Sequence, residues 1–124
     1  MSDKRATQAK EYAALREEHL KENPMCAGWL VLNSFSPEEI KEIQDAAAFA
    51  LWQGSGAPRI PARRRDLMAT YGLPQHCPRS CDLHHSHGRG TNYIKTEYFM
   101  ALARSTHDWC HTHPSVARQH GLLQ

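Results

Sequence analysis

Apolar residues recur at helical spacing through the first half of the chain. Tyr12, Leu15 and His19 share one face of an otherwise charged segment. This predicts a helix over 3–22, ended by Asn23-Pro24. Residues 25–35 (MCAGWLVLNSF) form a short apolar run in which periodicity leaves strand and loop both open. Ser36-Pro37-Glu38-Glu39 combines an N-cap serine, a proline at the first helical position and a glutamate three after the cap. The stripe Ile40, Ile43, Ala47 and Leu51 carries that helix to a glycine-rich stop at 54–58. Trp29, Trp52 and this stripe are expected in the core. A short helix over about 63–71, closed by Gly72, follows. Phe99, Leu102, Thr106 and Trp109 fit one continuous helix over 96–113, but 98–103 fits a strand as well. Last comes a helix from Ser115 to His120, with Gly121 at its C′ position and Leu122 and Leu123 folding back onto the core.

A length of 124 residues makes this one domain with a small core, of a size that often adds a metal or a partner for stability. The net charge of +2 does not by itself indicate a nucleic-acid binder. Charge is uneven, however: Arg59 to Arg65 (RIPARRR) is strongly basic, and Glu38, Glu39 and Glu42 form an acidic counterpart. Arg63, Arg64 and Arg65 are therefore candidates for phosphate contact, beside the plainer reading of a solvated charged face. No apolar run approaches the roughly 20 residues that span a bilayer, so no membrane partner is expected. The polar start MSDKRATQAK lacks the apolar segment of a signal peptide, which points to the reducing cytoplasm. The four cysteines are then expected as metal ligands or core residues rather than bridges.

Histidine changes the picture most. There are nine, and all but one lie from His76 onward. His107 and His111 are spaced i, i+4, which on a helix puts both imidazoles on one face, able to share a cation. Ser105 is placed to cap that helix. The tandem His84-His85 sits on a segment of strand character, where neighbours point to opposite faces. One of the two can bind metal while the other addresses a substrate. Three imidazoles with open coordination positions suit a catalytic rather than a closed structural site. The alternative is a set of surface or core-satisfied histidines. Cys110, between the helix histidines, is expected to be a packing residue, and His87, His113 and His120 to face solvent.

The order His84-His85, Gly88-Arg89, a loop, an apolar stretch, then His107-Asp108-Trp109-Cys110-His111 resembles the HNH (ββα-metal) endonucleases. The likeness to small phage HNH proteins extends to Tyr12-Ala13-Ala14-Leu15-Arg16 and Asn23-Pro24-Met25-Cys26, and to Pro114, Ala117-Arg118 and Gly121-Leu122-Leu123. It covers 4–26 and 77–123. The resemblance implies an α+β fold with N-terminal helices, a helical insertion over 27–76 and a ββα-metal module over 77–124. His84, His107 and His111 would hold a divalent cation (Mg, Mn, Ni or Zn). His85 would be the general base that takes a proton from the attacking water, and Arg89 would bind a phosphate oxygen. The implied function is metal-dependent hydrolysis of DNA phosphodiesters, by a phage or prophage protein acting in the bacterial cytoplasm.

Two departures stand out. Tyr98 lies where the motif carries its middle asparagine. Ala103 and Thr106 replace a Cys-x-x-Cys that forms half of a structural zinc site. Cys26, Cys77 and Cys81, together with His76, are the residues left to rebuild such a site, beside the reading of small buried residues. The departures keep two other functions open: an inactive HNH-like protein that binds DNA or a host or phage protein, and a zinc-stabilised interaction module.

Overall fold

In a computed structural model the described residues are 2–86 and 96–123, with side chains described from residue 9 onward. The chain runs α1 (Ser2–Glu22), α2 (Ala27–Leu32), α3 (Pro37–Trp52), α4 (Arg65–Tyr71), β1 (Asp82–His85), β2 (Phe99–Leu102), α5 (Arg104–Thr112) and α6 (Pro114–Gln119). A single 3-10 turn, Thr96–Tyr98, leads into β2. Among the described residues the two strands form one antiparallel sheet, and the class is α+β as expected.

Local signals placed most helices correctly. Ser36 and Glu39 close a reciprocal capping box at the start of α3. Gly72 ends α4 in the left-handed conformation, which a side chain would resist. The run 25–35 resolves as neither strand nor loop but as the helix α2. Cys26 caps it, its sulfur accepting the Trp29 N–H at 3.4 Å. Trp29, Leu30 and Leu32 are buried together. A helix covered on nearly every side has no polar face, so its sequence carries no 3.6-residue signature.

This helix is the centre of the molecule. It packs on β2, α3 and α5. A Cβ added at Gly28 would lie 2.6 Å from Leu102 Cδ2 and 3.0 Å from Thr106 Cγ2, so glycine allows the helix to approach both elements. The segment 27–76 carries the three helices α2, α3 and α4 joined by non-helical stretches, and its first helix supplies core. Two buried amides tie the elements together. Gln44 of α3 accepts from Met25 N at 2.9 Å and donates to Met25 O at 2.7 Å. Asn33 donates to Trp29 O and accepts from the backbone of Arg63 and Arg64.

The stripe on α3 is shallower than its pattern suggests. Ala47 is fully buried, Ile40 and Ile43 are half-buried, and Leu51 is exposed. Trp52, expected in the core, is 81 % exposed. The last turn of α3 carries Leu51 and Trp52 out of the core.

The stretch after α4 runs back beside the junction of α1 and α2. Cys26 N donates to Pro78 O and Ser80 N to Pro24 O, so 77–81 lies alongside 24–26. The hairpin then pairs Asp82 with Leu102, Leu83 with Ala101, His84 with Met100 and His85 with Phe99. Within 98–103, Phe99–Leu102 is thus a strand and not the start of a long helix. Helix α5 begins at Arg104 with Ala103 at its N-cap, so Ser105 is not the cap. The strand turns directly into the helix there, and Ala103 O accepts the His107 N–H at 2.9 Å. Gly121 has a positive φ and Leu122 is buried, as the end of the sequence predicts.

Candidate metal centre

Strand alternation sorts the hairpin residues into two faces. Asp82 and His84 point to the α5 side, whereas Leu83 and His85 point to the other, with Phe99 and Ala101 opposite them. On the α5 side the rings of His84 and His107 are 5.1 Å apart, and those of His107 and His111 also 5.1 Å. One ligand atom from each of His84, His107 and His111 lies within 4.8 Å of the others, and this is the only such group among the described residues. These three histidines can hold a metal ion. Nitrogens bound to one zinc sit roughly 3.4 Å apart, given its bond length and tetrahedral angle, so small ring rotations close the group.

The partners of two of these rings decide which nitrogen is free. His84 Nε2 lies 2.7 Å from Leu122 O. A carbonyl only accepts, so Nε2 carries the proton and Nδ1 presents its lone pair. His107 Nδ1 lies 3.2 Å from Asp82 Oδ2, and an ionised carboxylate likewise only accepts. His107 Nε2 is then the free nitrogen. Carbonyl and carboxylate partners of this kind are what metal-bound imidazoles characteristically have. The Leu122 carbonyl is delivered by the turn at Gly121, so the C-terminal fold-back is part of the site. Asp82 is itself held by Arg104, whose Nε donates to Oδ2 at 2.7 Å. The Arg104 contact, more than His107, keeps the Asp82 carboxyl below its usual range despite the opposing effect of burial. Burial lowers the His84 pKa, against the Leu122 hydrogen bond that raises it, and nearby His107 and His111 lower it further. The ring is thereby biased to the neutral form that ligates metal.

His85 faces the other way and is also buried. Its ring stacks on Tyr12 of α1, with centroids 5.5 Å apart, and meets Phe99 edge-on at 5.3 Å. His19 meets the same Phe99 ring edge-on. The expected stripe on α1 therefore packs against the face of the hairpin that bears His85. Ser86, next in the chain, donates its backbone N–H to Tyr98 O at 3.1 Å. Its hydroxyl reaches the same oxygen at 3.3 Å. Tyr98 thus closes the hairpin through its backbone. Arg89 lies outside the described residues, as does His87.

The cysteines do not assemble a zinc site. The Cys26 sulfur caps α2, and the Cys77 thiol approaches the Cys26 carbonyl at 3.7 Å. Cys81 is exposed at the start of β1. Burial raises the pKa of Cys26 and Cys77 and pushes Cys110 up to about 12. Cys110 is buried, as expected of a packing residue. His113 is not simply solvent-facing, because its ring stacks on Trp109 and meets Tyr71 edge-on.

The basic cluster is only partly available. Arg63 pairs with Glu39 and covers the Phe35 ring at 3.8 Å. This contact holds the Glu39 carboxyl down at about 2. Arg64 and Arg65 are exposed. Sequence reasoning missed three residues at the centre: Asp82, Arg104 and Tyr12 in its role against His85. Asp82 had a signal, since it stands two before His84 and so shares its strand face. Arg104 had none, because its partner is set by the hairpin register. No family profile matches the chain, nor does any curated protein or solved structure.

Proposed function

We propose that the chain is a metal-dependent endonuclease of the HNH type, hydrolysing DNA phosphodiester bonds. The observation that carries this reading is the convergence of His84, His107 and His111 from a hairpin and the helix that follows it, with His85 beside His84 on the same strand and on its opposite face. A ββα order that presents three imidazoles is the arrangement the HNH resemblance implies. Three imidazole ligands favour zinc or nickel over magnesium, which prefers oxygen ligands. A bound divalent cation supplies Lewis-acid stabilisation of the charge that develops on the phosphate and the leaving oxygen.

The chain's own residues do the rest. Leu122 O and Asp82 hold the His84 and His107 rings with their lone pairs inward. His85 takes the proton from the attacking water, and the Tyr12 and Phe99 rings restrict its orientation. The test is supercoiled plasmid with purified protein and zinc, nickel, manganese or magnesium, beside His85→Ala. Metal-dependent nicking or linearisation that the variant loses is the expected result. No cleavage with any of the four metals overturns the reading.

Tyr98 in the place of the motif asparagine favours a second reading, an HNH-like protein that keeps the metal and binds DNA or a protein without cutting. Metal binding through the three histidines, with no cleavage, selects it.

A further inference from the structure

Two open clefts meet at Arg16. One lies beside the metal centre and is bordered by Tyr12, Asp82, Arg104 and His107. The other is a groove of about 730 Å³ between the later turns of α1 and the end of α3, lined by Lys21, Leu51, Trp52 and Arg79. Trp52 is the most exposed of the large apolar side chains, with the Phe49 ring 6.2 Å away. The fold buries Trp29 and Trp109, so an indole left in solvent beside a cleft marks a recognition surface. The groove is also cationic. Glu17, its one acidic residue, lies 3.7 Å from Lys21, which leaves Arg16 and Arg79. Among the described residues neither arginine has a carboxylate partner, and Arg16 donates only to the Cys81 carbonyl.

We propose that this groove binds single-stranded nucleic acid, with a base stacked on Trp52 and phosphates on Arg16 and Arg79, on a path that leads to the metal centre. Flat apolar rings alternating with cations are what an unpaired strand requires, because each base offers a face and each linkage a charge. A closed duplex keeps its bases stacked on one another and has no face for Trp52. An apolar protein segment would leave two guanidinium groups unanswered. Arg16 borders both clefts, which places the groove next to the cleft that His107 and Asp82 line. The proposal deepens the nuclease reading by naming its substrate class, and its test needs no metal.

The test is fluorescence anisotropy of labelled (dT)12 and (rU)12, with a blunt 12-base-pair duplex for comparison, in EDTA at low salt. Tryptophan emission is followed in parallel. Wild-type protein is expected to bind (dT)12 or (rU)12 more tightly than the duplex, with quenching of the emission. The two oligonucleotides separate DNA from RNA. Trp52→Ala should weaken binding roughly ten-fold or more, while Trp52→Phe keeps most of it. Arg79→Gln should make the slope of log affinity against log salt shallower by about 0.7. Both positions are exposed, and circular dichroism checks that the variants fold. Absence of single-strand binding, or equal affinity in wild type and Trp52→Ala, overturns the proposal. Plasmid cleavage without oligonucleotide binding removes the groove and leaves the nuclease. Trp52-dependent binding without cleavage of plasmid or of the bound oligonucleotide by any of the four metals keeps the groove and removes the nuclease.

Discussion

Replacing Asp82 by asparagine tests the metal centre through a residue that is not one of its ligands. Asp82 accepts from Arg104 at 2.7 Å and from His107 Nδ1 at 3.2 Å. Asparagine keeps the shape but loses the charge that orients the His107 ring. Second-shell partners of metal-bound histidines are typically worth about 10–100-fold in affinity, which is about 1.4–2.7 kcal/mol of metal binding. Fold stability should change little, because Arg104 is exposed and its pairing is screened by solvent. The two effects separate in thermal melts. With zinc at 100 times the wild-type Kd, the wild type gains about 2.7 kcal/mol and the variant only about 0.4–1.4 kcal/mol. At roughly 4 °C per kcal/mol for a chain of this length, the metal-induced rise falls from about 11 °C to about 2–6 °C. Calorimetric titration gives the Kd directly, and melts in EDTA should nearly superimpose. An unchanged zinc affinity in Asp82→Asn would refute the assignment of His107 Nε2 as a ligand held by this carboxylate.

Three more predictions follow from the packing and the titrating groups. Gly28→Ala should destabilise by up to about 2 kcal/mol in urea denaturation, because a Cβ there would crowd Leu102 and Thr106 at an overpacking cost of about 1–3 kcal/mol, against a gain of up to about 1 kcal/mol in helix propensity; an alanine variant more stable than wild type would show that α2 is not seated on Leu102 and Thr106. Native protein treated with a thiol reagent should react at Cys81 alone, since Cys26, Cys77 and Cys110 are buried; mass spectrometry of the labelled chain reads this, and labelling of two or more sites contradicts it. The pKa values of His19, His84 and His120 are all lowered, chiefly by burial. Their neutral forms favour the fold, so the stability they contribute is complete above the unfolded value of about 6.5 and is lost as pH falls through the folded values. Metal-free protein should therefore melt lower at pH 5 than at pH 7.5, and His84→Gln should reduce that difference; an equal difference in the variant would remove His84 from the account.

Local chemistry was enough to read much of the helical frame. The capping box at Ser36 and Glu39, the left-handed stop at Gly72 and the final turn at Gly121 each satisfy backbone groups through neighbours in sequence. So does the i, i+4 pair His107 and His111, which needs only a helix to share a face. The grouping of those two with His84, and the ββα module that makes the class α+β, came instead from the HNH resemblance, because they join segments far apart in the chain. What the sequence left open depends on contacts between distant segments. The run 25–35 became a helix because β2 and α5 cover it, and a fully covered helix has no periodic pattern to display. The cysteine group did not come together: Cys26 and Cys77 went into the core while Cys81 stayed exposed. Trp52 carries the same apolar signal as Trp29, yet one lies in solvent and the other in the core, according to where each helix ends relative to its neighbours. The hairpin register placed Asp82 beside Arg104 and His107, and the tail set the Leu122 carbonyl against His84. Residue types and short spacings determine which groups can ligate a metal, whereas tertiary packing decides which nitrogen each ring presents, because the partners that fix the protons come from elsewhere in the chain.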